Sequence, residues 1–591
     1  MSKNTLPHLE ALRAEMAQHS IDAFIIPGTD PHQSEYYADH WGCRTWISGF
    51  NGSAGTAVVT TDKAGLWTDS RYFLQADEQL ADSGFVLFKD GLPDTPSIES
   101  WLCSVLPAGS TVAIDGTLFS TTAVENMIVF FEKHNISLTT NFTPFDKIWQ
   151  DRPTLPNTPF FGHDLEYCGE NATSKIMRVM QAVKESGADA LLLSALDDIA
   201  WLYNIRGNDV KYNPMTYAYA YIDDKRHILF VGNEKLNEEN KTHLRSIGVE
   251  QMPYEAVFDF VASIRNKRVS INPAKLNYTL YKRLDTTVIR ENGPIAMFKA
   301  IKNETQIAGI RQAMVRDGVA LVRFFRWLDS NIDMGTATEI SAAQQLRAFR
   351  AEQNLFVDES FSTICGYNEH GAIVHYSATP ESNVNIRRKG FLLVDSGAQY
   401  LDGTTDITRT VSLGTLTQQQ KRDFTLVLKG HIALSRCQYP EGTRGAQLDA
   451  IARMPLWKEG LNYLHGTGHG VGHFLNVHEG PQSIRLQENP TPLMPGMITS
   501  NEPGLYRAGE YGIRHENLVL TVLAQESEFG KFYRFEPLTL FPFDKRALDM
   551  TILQPYEIAW LNDYHRMVYD KLKASLTSEE CEWLREATSA I

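Results

Sequence analysis

The chain has 591 residues, too many for one hydrophobic core, so about three domains are expected. Its 43% hydrophobic and 21% charged residues exclude a disordered or fibrous protein. A formal net charge of -15 with no long basic stretch excludes duplex nucleic acid as a partner, because phosphate binding needs clustered Lys and Arg.

Cys43, Cys103, Cys168, Cys365, Cys437 and Cys581 are scattered and never at CxxC spacing, which points to isolated thiols in a reducing, cytoplasmic compartment. No run of about 18 apolar residues exists, so no membrane partner or span is expected. Met1-Ser2-Lys3-Asn4 leads into Leu9, Leu12, Met16 and Ile21 with charges between, an amphipathic helix and not a signal peptide. Next, Asp22 to Pro27 reads as a buried strand. Ala57–Thr60 and Gly65–Thr68 read as a hairpin, followed by a helix over about 70–81. Asn51-Gly52-Ser53-Ala54-Gly55 lacks the lysine and spacing of a phosphate loop and is taken as a tight connection between strands.

The pattern then recurs. A helix over about 174–186 precedes Ala188–Leu193, and two strands, Ala218–Ile222 and His227–Val231, flank a charged turn. Ile199–Gly207 matches the Ile47–Gly52 region in position. This predicts two similar α/β domains in tandem, residues 1–155 and 156–302, divided near the proline-rich stretch 153–159. A long helix begins near Asn303 and ends before Met334-Gly335. It opens a domain at 303–541, followed by a helical extension at 542–591.

The chemistry concentrates in 303–541. The apolar strand Phe391–Val394 delivers Asp395 at its end. The Asp402-Gly403 turn and a returning strand over 404–410 bring Asp406 near it. Such hairpins are common, but two carboxylates in a buried place repel unless a proton or cation lies between them. Residues 465–479 hold His465, His469, His473 and His478. The i, i+4 spacing of His465, His469 and His473 suits a helix, but glycines at 466, 468, 470 and 472 argue for a strand or loop that lets imidazoles approach a site closely. Pro503 biases Glu502 to extended backbone. Gly512–Leu520 reads as one apolar strand with Arg514 and Glu516 on a shared face.

Together, Asp395, Asp406, Glu502 and Glu516 carry -4, and His469 is neutral. Two divalent ions would supply +4 and a bridging hydroxide -1, a near balance. Oxygen-rich ligation with one imidazole and no thiolate suits Mn²⁺, with Zn²⁺ or Co²⁺ as alternatives. Such a pair, roughly 3.5–4 Å apart, activates water and polarises a carbonyl, which is the chemistry of amide hydrolysis.

The blocks Asp395–Tyr400, Thr404–Thr410, His465–His469, Val477–Pro481, Asn501–Gly504 and Arg514–Asn517 resemble the pita-bread metallopeptidases, and among them the long, three-domain Xaa-Pro aminopeptidases. The resemblance spans essentially the whole chain. It implies an α/β (α+β) architecture of two creatinase-type N-terminal domains followed by a pita-bread catalytic domain with a C-terminal extension. It implies that Asp395 binds one metal, that Asp406 and Glu516 bridge the two, and that His469 and Glu502 complete the other. Glu502 would also act as general base for a bridging water, His478 would stabilise the oxyanion, and His375 would contact substrate near the scissile bond. His465 would assist proton movement or substrate binding, and Arg514 would hold the carboxylates from behind. His473 receives no role. The implied substrates are peptides with proline second, the implied metal manganese, and the implied assembly a cytoplasmic homodimer with the C-terminal segment as interface. Prolidase, which shares the metal set, is the nearest rival. A catalytically inactive pita-bread binding module is set aside because all five ligand positions are kept.

Overall fold

The computed structural model describes residues 5–591, so the reading of Met1–Asn4 lies outside the described residues. The described chain divides into two compact units. One comprises the residues through Asp164 together with Glu170–Ala296, and the other Leu165–Gly169 together with Met297–Ile591.

The first unit is built on two six-stranded sheets. In chain position along the sheet, the first runs Val86–Lys89, Ala64–Thr68, Thr56–Thr60, Ala23–Pro27, Thr111–Ala113 and Ser137–Thr139. The second runs Glu250–Met252, His227–Val231, Ala218–Asp223, Ala190–Leu193, Arg268–Ile271 and Thr287–Arg290. The strand directions match pair by pair: parallel, antiparallel, antiparallel, parallel, parallel. This is the duplication that the recurring pattern predicts. The central strands are buried on both faces, which is why they read as continuous apolar runs. The Asn51–Gly55 segment departs from expectation in one respect: it joins the helix Cys43–Ser48 to a strand, not two strands. The buried guanidinium of Arg44 closes this loop by donating to the carbonyls of Gly52 and Gly55, so its glycines serve a side chain of the protein.

A buried polar cluster ties the two sheets of this unit together. His32 is bonded through Nδ1 to the Ser194 carbonyl at 2.7 Å and through Nε2 to the Tyr254 hydroxyl at 2.8 Å. Asp30 accepts from the His32 amide and from Tyr217 Oη. Burial lowers the pKa of His32 to about 4, against the opposing pull of Asp30 and the Ser194 carbonyl.

In the second unit, the helix Glu304–Asp333 starts where the sequence places it. Asn303 caps it, accepting from the Gln306 amide while the Gln306 side chain accepts from the Asn303 amide. Its apolar stripe (Ile310, Met314, Val322, Phe325) packs into a core shared with Leu392, Val394, Phe424, Ile513, Leu518, Leu561 and Val568. The sheets here are small and broken. Phe391–Ser396 pairs antiparallel with Ile364–Tyr367 and with Ile407–Ser412. A six-stranded sheet holds Gly468–Gly470, Glu479–Ile484, Ile498–Asn501 and Asn517–Ser527 at its centre and one edge. Tyr511–Arg514 forms a separate hairpin with Gly504–Arg507. The single strand expected over Gly512–Leu520 is therefore corrected to two: the chain leaves one sheet at Arg514 and enters another at Asn517, with His515 and Glu516 in the break. An apolar run read as extended looks the same on either side of a bend, so the pattern carries no sign of the change of sheet. The C-terminal stretch is helical over Pro555–Leu572 and Ser578–Ala587. Among the described residues, no helix is long and apolar enough to cross a membrane.

The neutral burial of His32 sets a pH dependence. Between pH 6.5 and about 4 the unfolded chain binds a proton at this imidazole that the folded chain does not, so its contribution to stability falls as pH falls through that window. At about 1.4 kcal/mol per pH unit, the loss from pH 7 to pH 4.5 is roughly 3 kcal/mol. Chemical denaturation of the full chain at both pH values is expected to show that loss shrinking by this amount in His32→Asn. Equal pH slopes in the two proteins would contradict it.

Candidate metal centre and active site

Each acidic candidate sits at a strand end or a break between strands. Asp395 is the fifth residue of Phe391–Ser396 and pairs with Thr408 across the ladder. Asp406 lies between the short strand Gly403–Thr404 and Ile407–Ser412. Glu502 follows Ile498–Asn501, turned out of the ladder ahead of Pro503, and its amide donates to the Thr467 carbonyl. Glu516 occupies the break described above, with its amide bonded to the Thr408 carbonyl at 3.1 Å.

These breaks aim the side chains at one place. Ligand atoms of Asp406, His469 and Glu516 all lie within 4.8 Å of one another. His469 Nε2 is 3.5 Å from Asp406 Oδ2 and 3.5 Å from Glu502 Oε1. His469 Nδ1 faces the Gly470 carbonyl at 2.9 Å, which assigns the proton to Nδ1 and leaves Nε2 toward the carboxylates. Thr408 Oγ1 donates to Glu516 Oε2 at 2.9 Å, and Ser500 Oγ donates to Glu502 Oε1 at 3.1 Å. Arg514 donates to Asp395 Oδ2 through Nη2 and Nε. Two oxygens remain buried without a hydrogen-bond partner, Asp395 Oδ1 and Glu516 Oε1.

The electrostatics are those of crowded anions. Burial pushes Asp395 up to about 6, with Arg514 opposing and Asp406 adding to the rise. Burial, then Asp406 and Glu502, push Glu516 well above the usual carboxylate range. Burial opposes charge on His469, but Asp406 and Glu502 win and raise it to about 9. With protein groups alone the site would hold protons to relieve its charge. A donor set of hard carboxylate oxygens, one imidazole and two orphaned buried oxygens fits divalent cations in their place.

The remaining candidates surround this centre. The His478 ring stands edge-on to His469, with centroids 4.4 Å apart. His465 Nε2 meets the Tyr506 hydroxyl at 2.8 Å, and Arg514 Nη1 donates to the same hydroxyl at 2.7 Å. Arg514 Nη2 donates to the carbonyl of Val374, the residue before His375. His473 is buried. The His515 ring is edge-on to Phe424 and Phe543.

Tyr506 and Thr408 carry no sequence-level prediction, although Thr408 lies inside the Thr404–Thr410 block and Tyr506 two residues beyond Asn501–Gly504. Tyr506 links His465 to Arg514, and Thr408 Oγ1 touches both Glu516 and Arg514. The only signal for Tyr506 is the tight pairing of Gly504–Arg507 with Tyr511–Arg514, and that pairing becomes visible only in the fold. Behind the His465 loop, Arg453 donates to the carbonyls of Tyr463 and His465, and Thr467 Oγ1 donates to Asp449.

Family models match along nearly the whole chain. The Creatinase/Prolidase N-terminal domain matches twice, at residues 8–143 and 151–306, Metallopeptidase family M24 at 308–522, and the C-terminal region of peptidase M24 at 531–591. A protein of Laccaria bicolor described as a probable Xaa-Pro aminopeptidase P is 42% identical, over 100% of this chain and 94% of its own. Aminopeptidase P2 of Arabidopsis thaliana is 42% identical over 95% of this chain and 85% of its own. The crystal structure of X-prolyl aminopeptidase from Caenorhabditis elegans, described as a cytosolic enzyme with a di-nuclear active site, superposes with a TM-score of 0.95 at 36% identity, covering 99% of this chain and 100% of that one. Full-length similarity at this level, on a site of this donor chemistry, places the chain in metallopeptidase family M24, among its Xaa-Pro aminopeptidase P members with two creatinase-type N-terminal domains.

Proposed function

We propose that this chain is a Xaa-Pro aminopeptidase, hydrolysing the bond between an N-terminal residue and a following proline with two divalent metal ions. The observation that carries the reading is the convergence of Asp406, His469 and Glu516 beside two buried carboxylate oxygens that have no hydrogen-bond partner. Asp395, Asp406, His469, Glu502 and Glu516 would hold the ions. Mn²⁺ is the best match to this oxygen-rich set, with Zn²⁺ and Co²⁺ next. When bound, such ions supply Lewis acidity toward the scissile carbonyl and a nucleophile at neutral pH.

The chain's own groups then have distinct tasks. The Glu502 carboxylate takes the proton of the attacking water and passes it to the leaving proline nitrogen. His478 donates to the oxyanion as the carbonyl becomes tetrahedral. His375 contacts substrate near the scissile bond, and His465, bonded to Tyr506, binds substrate or relays a proton. Arg514 fixes Asp395. A Xaa-Pro bond has no N–H, so an enzyme acting on it cannot rely on that donor to hold the substrate. We also assign the working divisions 1–155, 156–302, 303–541 and 542–591, supported by the family-model matches. A cytosolic setting is proposed with them, supported by the description of the C. elegans enzyme.

Purified chain is expected to release arginine from Arg-Pro-Pro in a metal-dependent manner. Hydrolysis of Ala-Pro but not of the tripeptide would instead make it a dipeptidase. Metal analysis is expected to find two ions per chain. Exhaustive chelation together with Asp406→Ala should abolish hydrolysis, and full activity under those conditions would refute the metal mechanism. Thr408→Val removes the donor to Glu516 while keeping the shape of the side chain. It is expected to weaken metal affinity or activity by about 10–100-fold, read by metal titration and initial rates.

A further inference from the structure

The segment that carries His375 is an arm, not part of a sheet. It leaves the strand Ile364–Tyr367, makes a short helical turn over Asn368–Ala372, and continues through Ile373, Val374 and His375 to Tyr376. One buried carboxylate gathers its polar groups. Glu339, at the first position of the helix Glu339–Ala351, is wholly buried. Its Oε1 accepts from the Tyr367 amide at 2.8 Å and lies 2.8 Å from His370 Nδ1. Its Oε2 accepts from the Tyr376 hydroxyl at 2.9 Å and lies 3.0 Å from His370 Nδ1. His370 and Tyr376 also stack, with ring centroids 4.5 Å apart and planes 25° from parallel.

All three donors belong to the arm or its root, and they bracket His375 on both sides. The arm meets the metal centre at its other face. Arg514, which holds Asp395, donates to the Val374 carbonyl at 3.3 Å. The turn of the arm also lies backbone-to-backbone on the strand that carries Arg514. A Cβ at Gly512 would stand 1.7 Å from the Gly371 carbonyl oxygen, so only glycine permits this approach. The arm is thus fixed between Glu339 on one side and Arg514 on the other, with His375 next to the second anchor.

We propose that Glu339 is a positioning residue for the reaction: it acts through Tyr367, His370 and Tyr376 to hold the 368–376 arm so that His375 meets the substrate. This rests on the role given to His375 above. The carboxylate is specifically required, because both oxygens accept. A glutamine would present an NH2 group to one set of donors and break that side of the cluster. Small displacements of a substrate-contacting group are costly: outer-shell changes lower activity by about 10–100-fold.

The test is a double-mutant cycle on metal-loaded full-length chain, read as kcat/KM for Arg-Pro-Pro together with metal content. Glu339→Gln is expected to lower kcat/KM by about 10–100-fold with two ions still bound. In a His375→Ala background its effect should shrink by more than about threefold, since a group that acts through His375 has nothing left to position. A smaller shrinkage would mean that Glu339 supports the fold generally and would overturn the proposal, as would a single variant within about twofold of the parent. If Glu339→Gln does not fold, Tyr376→Phe decides. It deletes one donor and keeps the carboxylate, and the same cycle is expected to show a loss that shrinks beside His375→Ala; parental kcat/KM overturns the proposal. A parent chain that leaves Arg-Pro-Pro intact overturns the aminopeptidase reading and this proposal with it. That failure is seen before any variant is compared.

Discussion

Four carboxylates brought into one buried place are the constraint on which the second unit depends. Asp395, Asp406, Glu502 and Glu516 repel one another, and burial makes the charges of Asp395 and Glu516 harder to keep. Nothing in ordinary sheet packing favours such an arrangement. It persists because every carboxylate is tethered by its backbone at a strand end or break, so it cannot swing away without unzipping a ladder. Regular strands alternate their side chains between two faces. A break frees one residue from that alternation, and the chain uses breaks at Asp406, Glu502 and Glu516 to turn three side chains toward one point.

The tethers are themselves held by buried polar groups, and the most connected is Arg409. Its guanidinium donates to the carbonyls of Glu516, Phe541 and Pro542, to Asn517 Oδ1 and to the Tyr564 hydroxyl. Burial lowers its pKa, with the Tyr564 hydroxyl and the charge of Glu516 opposing, and the groups just named that accept from it are neutral. One side chain thereby joins the strand that follows Asp406, the break that carries Glu516 and the helix Pro555–Leu572. The C-terminal helices are part of the scaffold of the metal centre, which explains why Leu561, Tyr564 and Val568 share its core.

What could be read from the sequence follows from how local each signal is. Asp395 was legible because an apolar run ends on a carboxylate, and the Asp402-Gly403 turn fixed the direction of its partner strand. The glycines around His469 ruled out the helix that its histidine spacing suggests, and the segment is indeed a short strand. The duplicated front sheets were legible because the same order of helix, strand and hairpin recurs, and each element is set by short-range pattern. The break at His515–Glu516 was not legible, since extended apolar chain reads alike on either side of a bend.

Tyr506, Thr408, Arg409 and Glu339 were illegible for a different reason. Each is an ordinary residue in its own segment and gains its role only from a partner far along the chain: Glu339 from Tyr376, Thr408 from Glu516, Arg409 from Tyr564, Tyr506 from His465. Ligands announce themselves by residue type, because few side chains can bind a hard cation. Groups that orient ligands can be any donor or acceptor of the right reach, so composition does not single them out. Sequence motifs therefore locate the chemistry of such a site, while the precision of its geometry resides in contacts that only the folded chain displays.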